Sequence, residues 1–258
     1  MSDLIKLDIT DLGFALGLMA ITIGLSVWEK LGLELNLVIA GLRSFFQLVV
    51  LAYVLDFVFA TDNVWVIGGF VLVMLTITAI VARNRISTKV SFLLPLVWTT
   101  IFVSTSLILI YINFLIIKPD RWYEPRYLIP ISAILLANAM NAAAVAGERL
   151  VSSIRQFPQE IETHLSLGAT PQQAIGQYRR DAIRTALFPT LNQMMLMGMV
   201  TITTFSSGQL LAGISPLEAL SYEILIVFMV VLVNLLTAIL ITRYLYRQFF
   251  NDAMQLLK

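Results

Sequence analysis

The chain alternates between long apolar runs and short polar connectors along almost its whole length. Apolar runs of about 18 residues or more are typical of membrane-crossing helices, because some 20 helical residues span the hydrocarbon core of a bilayer. The pattern predicts seven spans, at about 12–28, 37–59, 64–82, 92–117, 127–147, 189–212 and 219–245. We therefore expect an all-α integral membrane protein with about seven transmembrane helices, forming a single domain over residues 1–258.

Composition agrees with this interpretation and narrows the chemistry. Of the 258 residues, 59% are hydrophobic and 13% are charged, whereas soluble domains average roughly 25% charged residues. The mean hydropathy is +0.86. The absence of cysteine excludes disulfides, thiolate metal sites and a cysteine nucleophile. A net charge of +1 gives no indication of nucleic-acid binding.

The distribution of basic residues predicts the orientation. The acidic first segment lacks the positive start of a signal peptide, so we expect the first span to be retained. One side of the membrane would hold Lys30, Arg83, Arg85, Lys89, Arg149, Arg155, Arg179, Arg180, Arg184, Arg243, Arg247 and Lys258. The other side would hold only Lys6, Lys118, Arg121 and Arg126. By the positive-inside rule the N-terminus lies outside and the C-terminus inside a multi-pass protein of the cell (inner or plasma) membrane.

Residues 148–188 form the only long polar stretch, between spans five and six, and this orientation makes it cytoplasmic. We expect span five to continue into the cytoplasm until Pro158 interrupts it, and a short helix to follow over 158–167. Gly168 suits the left-handed position that ends such a helix. The stretch is thus predicted to be a hairpin of two helices joined by a glycine.

The second helix of this hairpin has a clear start signal. Thr170 precedes Pro171 and is followed three positions later by Gln173, which is the pattern of a capping box with proline at the first helical position. Apolar residues then recur at helical spacing, so an amphipathic helix is expected. Such a hairpin either lies on the lipid surface or docks a cytoplasmic partner.

The same residues resemble a known loop. Glu162, Gly168 and the run Ala169-Thr170-Pro171 are similar to the Glu-Ala-Ala…Gly loop of ABC-transporter permeases, with Thr163 and His164 in place of the two alanines. In that family the loop forms coupling helices that sit in a groove of the ATP-hydrolysing subunit. The resemblance implies that the ATPase-coupling residues are Glu162, His164, Gly168, Ala169, Thr170 and Pro171.

A second resemblance covers nearly the whole chain. The pieces that carry it are Gly41-Leu42-Arg43, Gln47-Leu48, Ile129-Pro130, Asn138-Ala139-Met140-Asn141, Glu148-Arg149-Leu150, Leu167-Gly168-Ala169-Thr170-Pro171, Gly198-Met199 and Gly208-Gln209-Leu210-Leu211-Ala212-Gly213. In this order and spacing they resemble the permease family of the bacterial FetB iron exporter and the plant aluminium-tolerance permeases.

This resemblance implies a permease subunit that exports iron or a related metal and pairs with a separate cytoplasmic ATPase. Because one chain offers a single coupling stretch, a homodimer with two ATPase subunits is expected. Family members have also been linked to nucleotide-sugar transport, so a nucleotide sugar or another solute is the alternative cargo. The other alternative is an ion-driven carrier or channel, which would use carboxylates in mid-span, where this chain has none.

The chain itself lacks the elements of an ATP site. A P-loop requires Gly-Lys-Ser/Thr to hold phosphates, and no lysine here follows a glycine. We therefore expect no cofactor on this chain, with ATP and magnesium on the partner ATPase. The predicted spans also contain no His, Cys or paired-carboxylate set, so no catalytic residue is predicted and the chain is not expected to be an enzyme.

Polar residues within the spans are the candidates for a translocation pathway. They are Arg43, Gln47, Asn138, Asn141, Gln193, Thr201, Thr204, Gln209 and Glu223. Some of them have a simpler explanation: Arg43 can reach lipid headgroups, and Asn138 and Asn141 can bond between packed helices. Span six is the most polar span, with Thr203 and Ser206 among its polar residues, and is the best candidate for the pathway lining. The methionines of 194–199 either contact cargo or fill gaps in the core. The metal ligands remain unknown at this point.

Overall fold

The computed structural model describes residues 9–61, 63–87, 92–251, 253, 255 and 256, with the backbone alone at 9, 10 and 12. Lys6, Lys89 and Lys258, which the orientation prediction counts, lie outside these residues. All regular elements in the described part are helical. They are α1 (Ile9–Trp28), α2 (Glu34–Thr61), α3 (Val64–Ile86), α4 (Leu93–Tyr111, extended by a π-helical turn, Ile112–Ile117), α5 (Pro125–Gln156), α6 (Pro158–Ser166), α7 (Pro171–Ala174), α8 (Gly176–Leu196), α9 (Thr204–Leu211) and α10 (Pro216–Leu245, followed by a 3-10 turn, Tyr246–Phe249).

Five of the described helices are long and apolar enough to cross a membrane: α2, α3, α4 with its extension, α5, and α10 with its final turn. A shorter apolar stretch, Gly13–Trp28, belongs to α1. The prediction of an all-α, multi-pass membrane protein is therefore confirmed. The orientation across the membrane remains a prediction.

Local sequence signals explain most helix starts. The side chain of Asn63 accepts the amide of Trp65 at 2.9 Å and caps α3. The side chain of Ser215 accepts the amide of Glu218 at 3.4 Å and caps α10, whose first residue is Pro216. Side-chain caps satisfy amides that have no partner inside the helix, and proline fits the first helical position because no amide is required there.

The sixth predicted span is not one continuous helix. The sequence predicted a helix over 189–212, but α8 ends at Leu196 and α9 begins only at Thr204. Gly198 adopts a left-handed conformation with φ +79°, and its amide donates to the carbonyl of Thr201 at 3.0 Å. The residues from 200 to 203 are all β-branched and favour helix less than unbranched residues do. A discontinuous helix results.

The core lies among α3, α4, α5, α8 and α10, and α5 and α10 pack most extensively. Half of the buried residues of α5 are alanine, glycine or serine, and such small residues allow helices to approach closely in a membrane. A Cβ atom placed on Gly147 would lie 2.7 Å from Cδ1 of Ile86 on α3. By contrast α1 packs on α2, and Val58 is the only described residue of α2 that is buried.

Candidate functional site

The hairpin between α5 and α8 has the local geometry that the sequence predicted. Helix α6 ends at a turn in which Gly168 has φ +89°, with its amide 3.0 Å from the carbonyl of Leu165. The Thr170 amide donates to Oε1 of Gln173 at 2.9 Å, and the Gln173 amide donates to Oγ1 of Thr170 at 3.4 Å. This is the expected capping box. We call residues 162–171 the elbow.

One detail of the hairpin differs from the prediction. The helix that starts after Thr170 was expected to continue without interruption, but α7 ends at Ala174 and α8 starts at Gly176. Ile175, between them, is completely buried and has φ −96° and ψ 2°. Burial of this side chain and a following glycine, which is a weak helix former, account for the break.

The elbow has a buried base and an exposed tip. Ile161 and Ile175 have no exposed surface and belong to the main core. At the tip, Leu167 is 80% exposed. Four of the predicted coupling residues are also exposed, Glu162, His164, Gly168 and Thr170, while Ala169 and Pro171 are half-buried. The tip therefore presents an apolar side chain on a firmly anchored turn.

Two contacts brace the elbow against the rest of the molecule. The rings of Phe157 and Tyr178 stack with centroids 5.6 Å apart and planes at 11°. Burial, assisted by the nearby Glu160 carboxylate, raises the pKa of the Tyr178 phenol to about 12. At the start of α8, Nε of Arg179 donates to Oγ1 of Thr242 on α10 at 3.4 Å. Displacement of the elbow would thus be passed on to α5, α8 and α10.

A second candidate region lies at the break between α8 and α9. Three of the predicted pathway residues, Asn138, Gln193 and Thr204, line one cavity of about 190 Å³ among α5, α8, α9 and α10. Thr190, Thr203, Met194 and Met197 line it as well. Thr190 also accepts a hydrogen bond from Nδ2 of Asn234 at 2.7 Å, which connects α8 to α10 beside the cavity.

Glu223 lies beside this cavity. Its side chain is 4% exposed, and the hydroxyls of Thr203 and Ser206 both contact its Oε2 atom. Thr203 thus belongs both to the cavity wall and to the surroundings of the carboxylate. Gln209 lines a neighbouring cavity of about 220 Å³ with Arg126 and Tyr222.

Four predicted pathway residues are not brought to this region within one chain. Arg43 and Gln47 are exposed on α2. Oδ1 of Asn141 accepts from a guanidinium nitrogen of Arg85 at 3.0 Å, so this residue faces α3 rather than the cavity. Thr201 is exposed, and its backbone closes the turn after α8 by accepting from Gly198.

Leu167 and Asn234 belong to these sites but were not predicted as site residues. Leu167 is a bulky apolar residue inside a polar loop, and this pattern is visible in the sequence. Asn234 is a polar residue within the apolar run of 219–245, which is also a recognisable signal. Thr203 belongs to the polar run of span six that the sequence singled out, but the sequence alone does not distinguish it from the neighbouring threonines.

The described residues hold no group of three or more His, Cys, Asp and Glu side chains arranged to bind a metal ion. A permanently bound metal centre of that kind is therefore not among the features of this part of the chain. Any cation would have to use a smaller set of ligands.

Comparison with known proteins places the chain in a family. The profile of the family described as uncharacterised protein family UPF0014 matches residues 9–250. The chain is 48% identical over 254 residues to UPF0014 membrane protein slr1647 of Synechocystis sp., covering 98% of both proteins. No solved structure matches it.

Two further relatives have names that refer to metals. The chain is 30% identical over 251 residues to the Escherichia coli protein named "Probable iron export permease protein FetB", covering 96% of this chain and 95% of the relative. It is 31% identical over 245 residues to Protein ALUMINUM SENSITIVE 3 of Arabidopsis thaliana, covering 94% and 87%. The chain therefore belongs to the UPF0014 family and is a multi-pass membrane permease.

Proposed function

We propose that this chain is the permease subunit of an ATP-driven ABC transporter that exports iron or a related metal. In this proposal the elbow docks a separate cytoplasmic ATPase. The observation that carries it is the geometry of the elbow, an exposed apolar tip on a turn whose base is anchored in the core.

The exposed tip is the reason to expect a protein partner. A soluble partner covers apolar surface favourably, and a large side chain at the centre of a small contact often supplies much of the binding free energy. Leu167 meets this description, with Glu162 and His164 exposed beside it. Because the predicted orientation places the elbow in the cytoplasm, the partner would be cytoplasmic.

The anchored base is the reason to expect coupling. Helices α5 and α8 flank the elbow, and both contribute to the wall of the cavity that contains Asn138 and Gln193. Closure of an ATPase pair on ATP would move the elbow and tilt these helices, and access to the cavity would change sides. One elbow per chain implies two permease copies with two ATPase subunits.

The substrate class is inferred from two relatives. One is named for iron export, and the other for sensitivity to aluminium. Iron and aluminium ions share a preference for oxygen ligands, and the polar residues around the cavity offer oxygen atoms. We therefore infer a metal cation as cargo.

The first experiment measures ATPase activity after purification of the chain from its native membranes in mild detergent. We expect an ATPase to co-purify, with activity that rises when ferrous iron is added. If the ATPase activity does not respond to iron, the permease assignment stands and the proposal of a metal cargo is contradicted. Absence of an ATPase, under conditions that preserve other ABC complexes, would contradict the proposal as a whole.

A matched pair of leucines tests the docking surface. Leu167→Ala removes the exposed tip, and Leu217→Ala removes a leucine of equal exposure, 81%, at the start of α10. Loss of a central contact residue costs more than about 1 kcal/mol, so Leu167→Ala should lower the affinity for the ATPase, and with it ATPase retention, by at least about fivefold. It should not change for Leu217→Ala. Equal retention in both variants would exclude Leu167 from the interface.

A matched pair of glycines tests the coupling. Proline cannot adopt the φ of +89° found at Gly168 and lacks the amide that bonds Leu165. Gly168→Pro should therefore leave membrane insertion intact and separate ATP hydrolysis from transport. Gly176→Ala is the control, because an added Cβ there meets only a side-chain atom of Arg180 at 4.0 Å. Normal iron-stimulated hydrolysis in Gly168→Pro would rule out the elbow as the coupling element.

A further inference from the structure

Glu223 is a carboxylate buried inside a membrane-spanning helix. It lies seven residues after Pro216, the first residue of α10, and only 4% of its surface is exposed. A buried ionised carboxylate is costly unless charge or hydrogen bonds compensate it. The Glu223 carboxylate, in an otherwise apolar helix, therefore requires a compensating partner.

The partners that the structure shows are incomplete. Both hydroxyls, from Thr203 and Ser206, contact the same oxygen, Oε2. The other oxygen, Oε1, is buried and has no hydrogen-bond partner among the described residues. The hydroxyl of Ser206 is moreover 3.3 Å from the carbonyl oxygen of Ala219, so its single proton is shared between two acceptors. Half of the carboxylate is thus left without a donor.

Thr203 connects this carboxylate to the cavity at the broken helix. Thr203 lines the cavity of about 190 Å³ and contacts Glu223 with its hydroxyl. The cavity lies at the break between α8 and α9, and discontinuous helices are the common location of substrate and ion sites in transporters. Thr203 therefore connects the carboxylate to a space that a small ion can enter.

The oxygen atoms at this place favour one class of ligand. They are the two carboxylate oxygens of Glu223, the hydroxyls of Thr203 and Ser206 on Oε2, and the Ala219 carbonyl beside the Ser206 hydroxyl. All are oxygen ligands of the kind that hard cations prefer. The thioethers of Met194 and Met197, which suit soft ions, line the cavity but are not among the contacts of Glu223.

We propose that Glu223, with the hydroxyls of Thr203 and Ser206, is a binding site for a hard divalent cation on its way through the permease. This inference deepens the proposed function and rests on it for the direction of transport. The site is one carboxylate supplemented by neutral oxygens, with no three-carboxylate or histidine cluster in the described residues. A cation in transit must also leave, so a weak site of few charges is appropriate.

The test uses Mn²⁺ as the probe, because its free form gives an electron paramagnetic resonance signal that is lost on binding. The full-length protein is reconstituted in lipid nanodiscs as wild type, Glu223→Gln and Glu218→Gln. Glu218 is the control, an exposed glutamate on the same helix. Gln retains an acceptor for the two hydroxyls, so the fold should be preserved.

We expect Glu223→Gln to weaken Mn²⁺ binding by at least about tenfold, since changes even outside the first ligands of a metal cost that much. Glu218→Gln should bind as the wild type does. Ferrous iron, added without oxygen, should displace Mn²⁺ from the wild type. Equal affinity in all three proteins, or displacement by Cu(I) rather than ferrous iron, would overturn the proposal. So would the absence of Glu223-dependent binding up to about 1 mM Mn²⁺, the weak limit of natural oxygen-ligand sites.

A second variant covers the case in which Glu223→Gln does not fold. Thr203→Ala combined with Ser206→Ala leaves the carboxylate in place and removes both hydroxyls, and Mn²⁺ affinity should again fall. Unchanged affinity would contradict the site. ATPase co-purification is measured on the same samples. If the ATPase binds normally but Mn²⁺ binding ignores Glu223, the cation site fails while the permease function stands; if the wild type binds no ATPase, the proposed function fails.

Discussion

Helices α2 and α5 are similarly apolar and both are long enough to cross a membrane, yet their surroundings differ completely. In the most apolar part of α2 no residue is buried, whereas half of the corresponding part of α5 is buried. Helix α5 carries a run of alanines with Gly147, and its neighbours approach closely along it. Helix α2 carries large aliphatic and aromatic residues that are exposed on the single chain.

The difference shows what hydropathy measures. A lipid tail is as apolar as a leucine, so apolar composition places a helix in the membrane without choosing its neighbours. Residue size and the few polar side chains make that choice. Substitutions matched between the two helices, or between other buried and exposed positions, test this conclusion.

The largest difference is expected for leucines. Leu135 on α5 has no exposed surface, and Leu48 on α2 is 66% exposed. Leu135→Ala should lower the free energy of unfolding by about 2–5 kcal/mol, because it leaves a cavity in the core. Leu48→Ala should change it by less than about 0.5 kcal/mol. Thermal unfolding in one detergent measures both. A large loss for Leu48→Ala would show that α2 is covered in the purified protein.

The next comparison concerns glycines. Gly147→Ala would place a methyl group 2.7 Å from Cδ1 and 2.8 Å from Cγ1 of Ile86. Overpacking of this kind costs about 1–3 kcal/mol. Gly69→Ala on α3 is the control, because nothing lies within 4 Å of its added Cβ. It should be neutral or slightly stabilising. Ile86→Ala removes all the Ile86 atoms that the new methyl group would meet. If Gly147→Ala costs as much in the Ile86→Ala background as in the wild type, the close contact is not the cause.

Polar side chains should show a smaller difference. Asn234 donates to Thr190 at 2.7 Å in the core, whereas Gln47 is exposed on α2. Hydrogen bonds between membrane helices contribute about 0.6–1.7 kcal/mol to stability. Asn234→Ala should therefore lower the free energy of unfolding by at least about 0.6 kcal/mol. Gln47→Ala should leave the free energy of unfolding of the monomer unchanged. The same unfolding assay applies, and equal losses would mean that α2 has a polar partner in the purified protein.

The smallest effect at neutral pH concerns Tyr178 at the elbow. Its pKa is raised to about 12, so the folded state favours the neutral phenol. This contribution to stability is fully present below the unfolded tyrosine pKa of about 10 and is lost as the pH rises towards 12. The phenolate absorbance of the wild type minus that of Tyr178→Phe should titrate near pH 12. Titration near 10 would mean that the stack with Phe157 is open in solution.

The elbow shows how much of a structure local sequence can predict. Pro158, Gly168 and the box of Thr170 and Gln173 each have a local physical consequence, and each appears in the structure as predicted. The same is true of five of the seven predicted membrane spans, since hydrophobicity over some 20 residues decides them almost alone. The family could also be predicted from its motifs, because their order survives in the chain.

Other features could not be read from the sequence. The break after Leu196 depends on a turn that Gly198 and Thr201 close together, and a run of β-branched residues also occurs in continuous membrane helices. Asn138 and Asn141 are three residues apart on one helix, yet one lines a cavity and the other bonds Arg85. Which side of α5 faces which neighbour is a property of the assembled bundle.

The sequence by itself determined that this chain is a helical membrane protein with one polar hairpin and a glycine at its turn, because these features follow from hydropathy and local backbone preferences. Only the tertiary structure decided that Glu223 meets Thr203 and Ser206 beside the broken helix, and that Arg43 and Gln47 do not reach that place in one chain. The physical reason is that apolar helices gain little by choosing one apolar neighbour over another. Their arrangement depends on shape and on a few polar contacts between residues far apart in the chain.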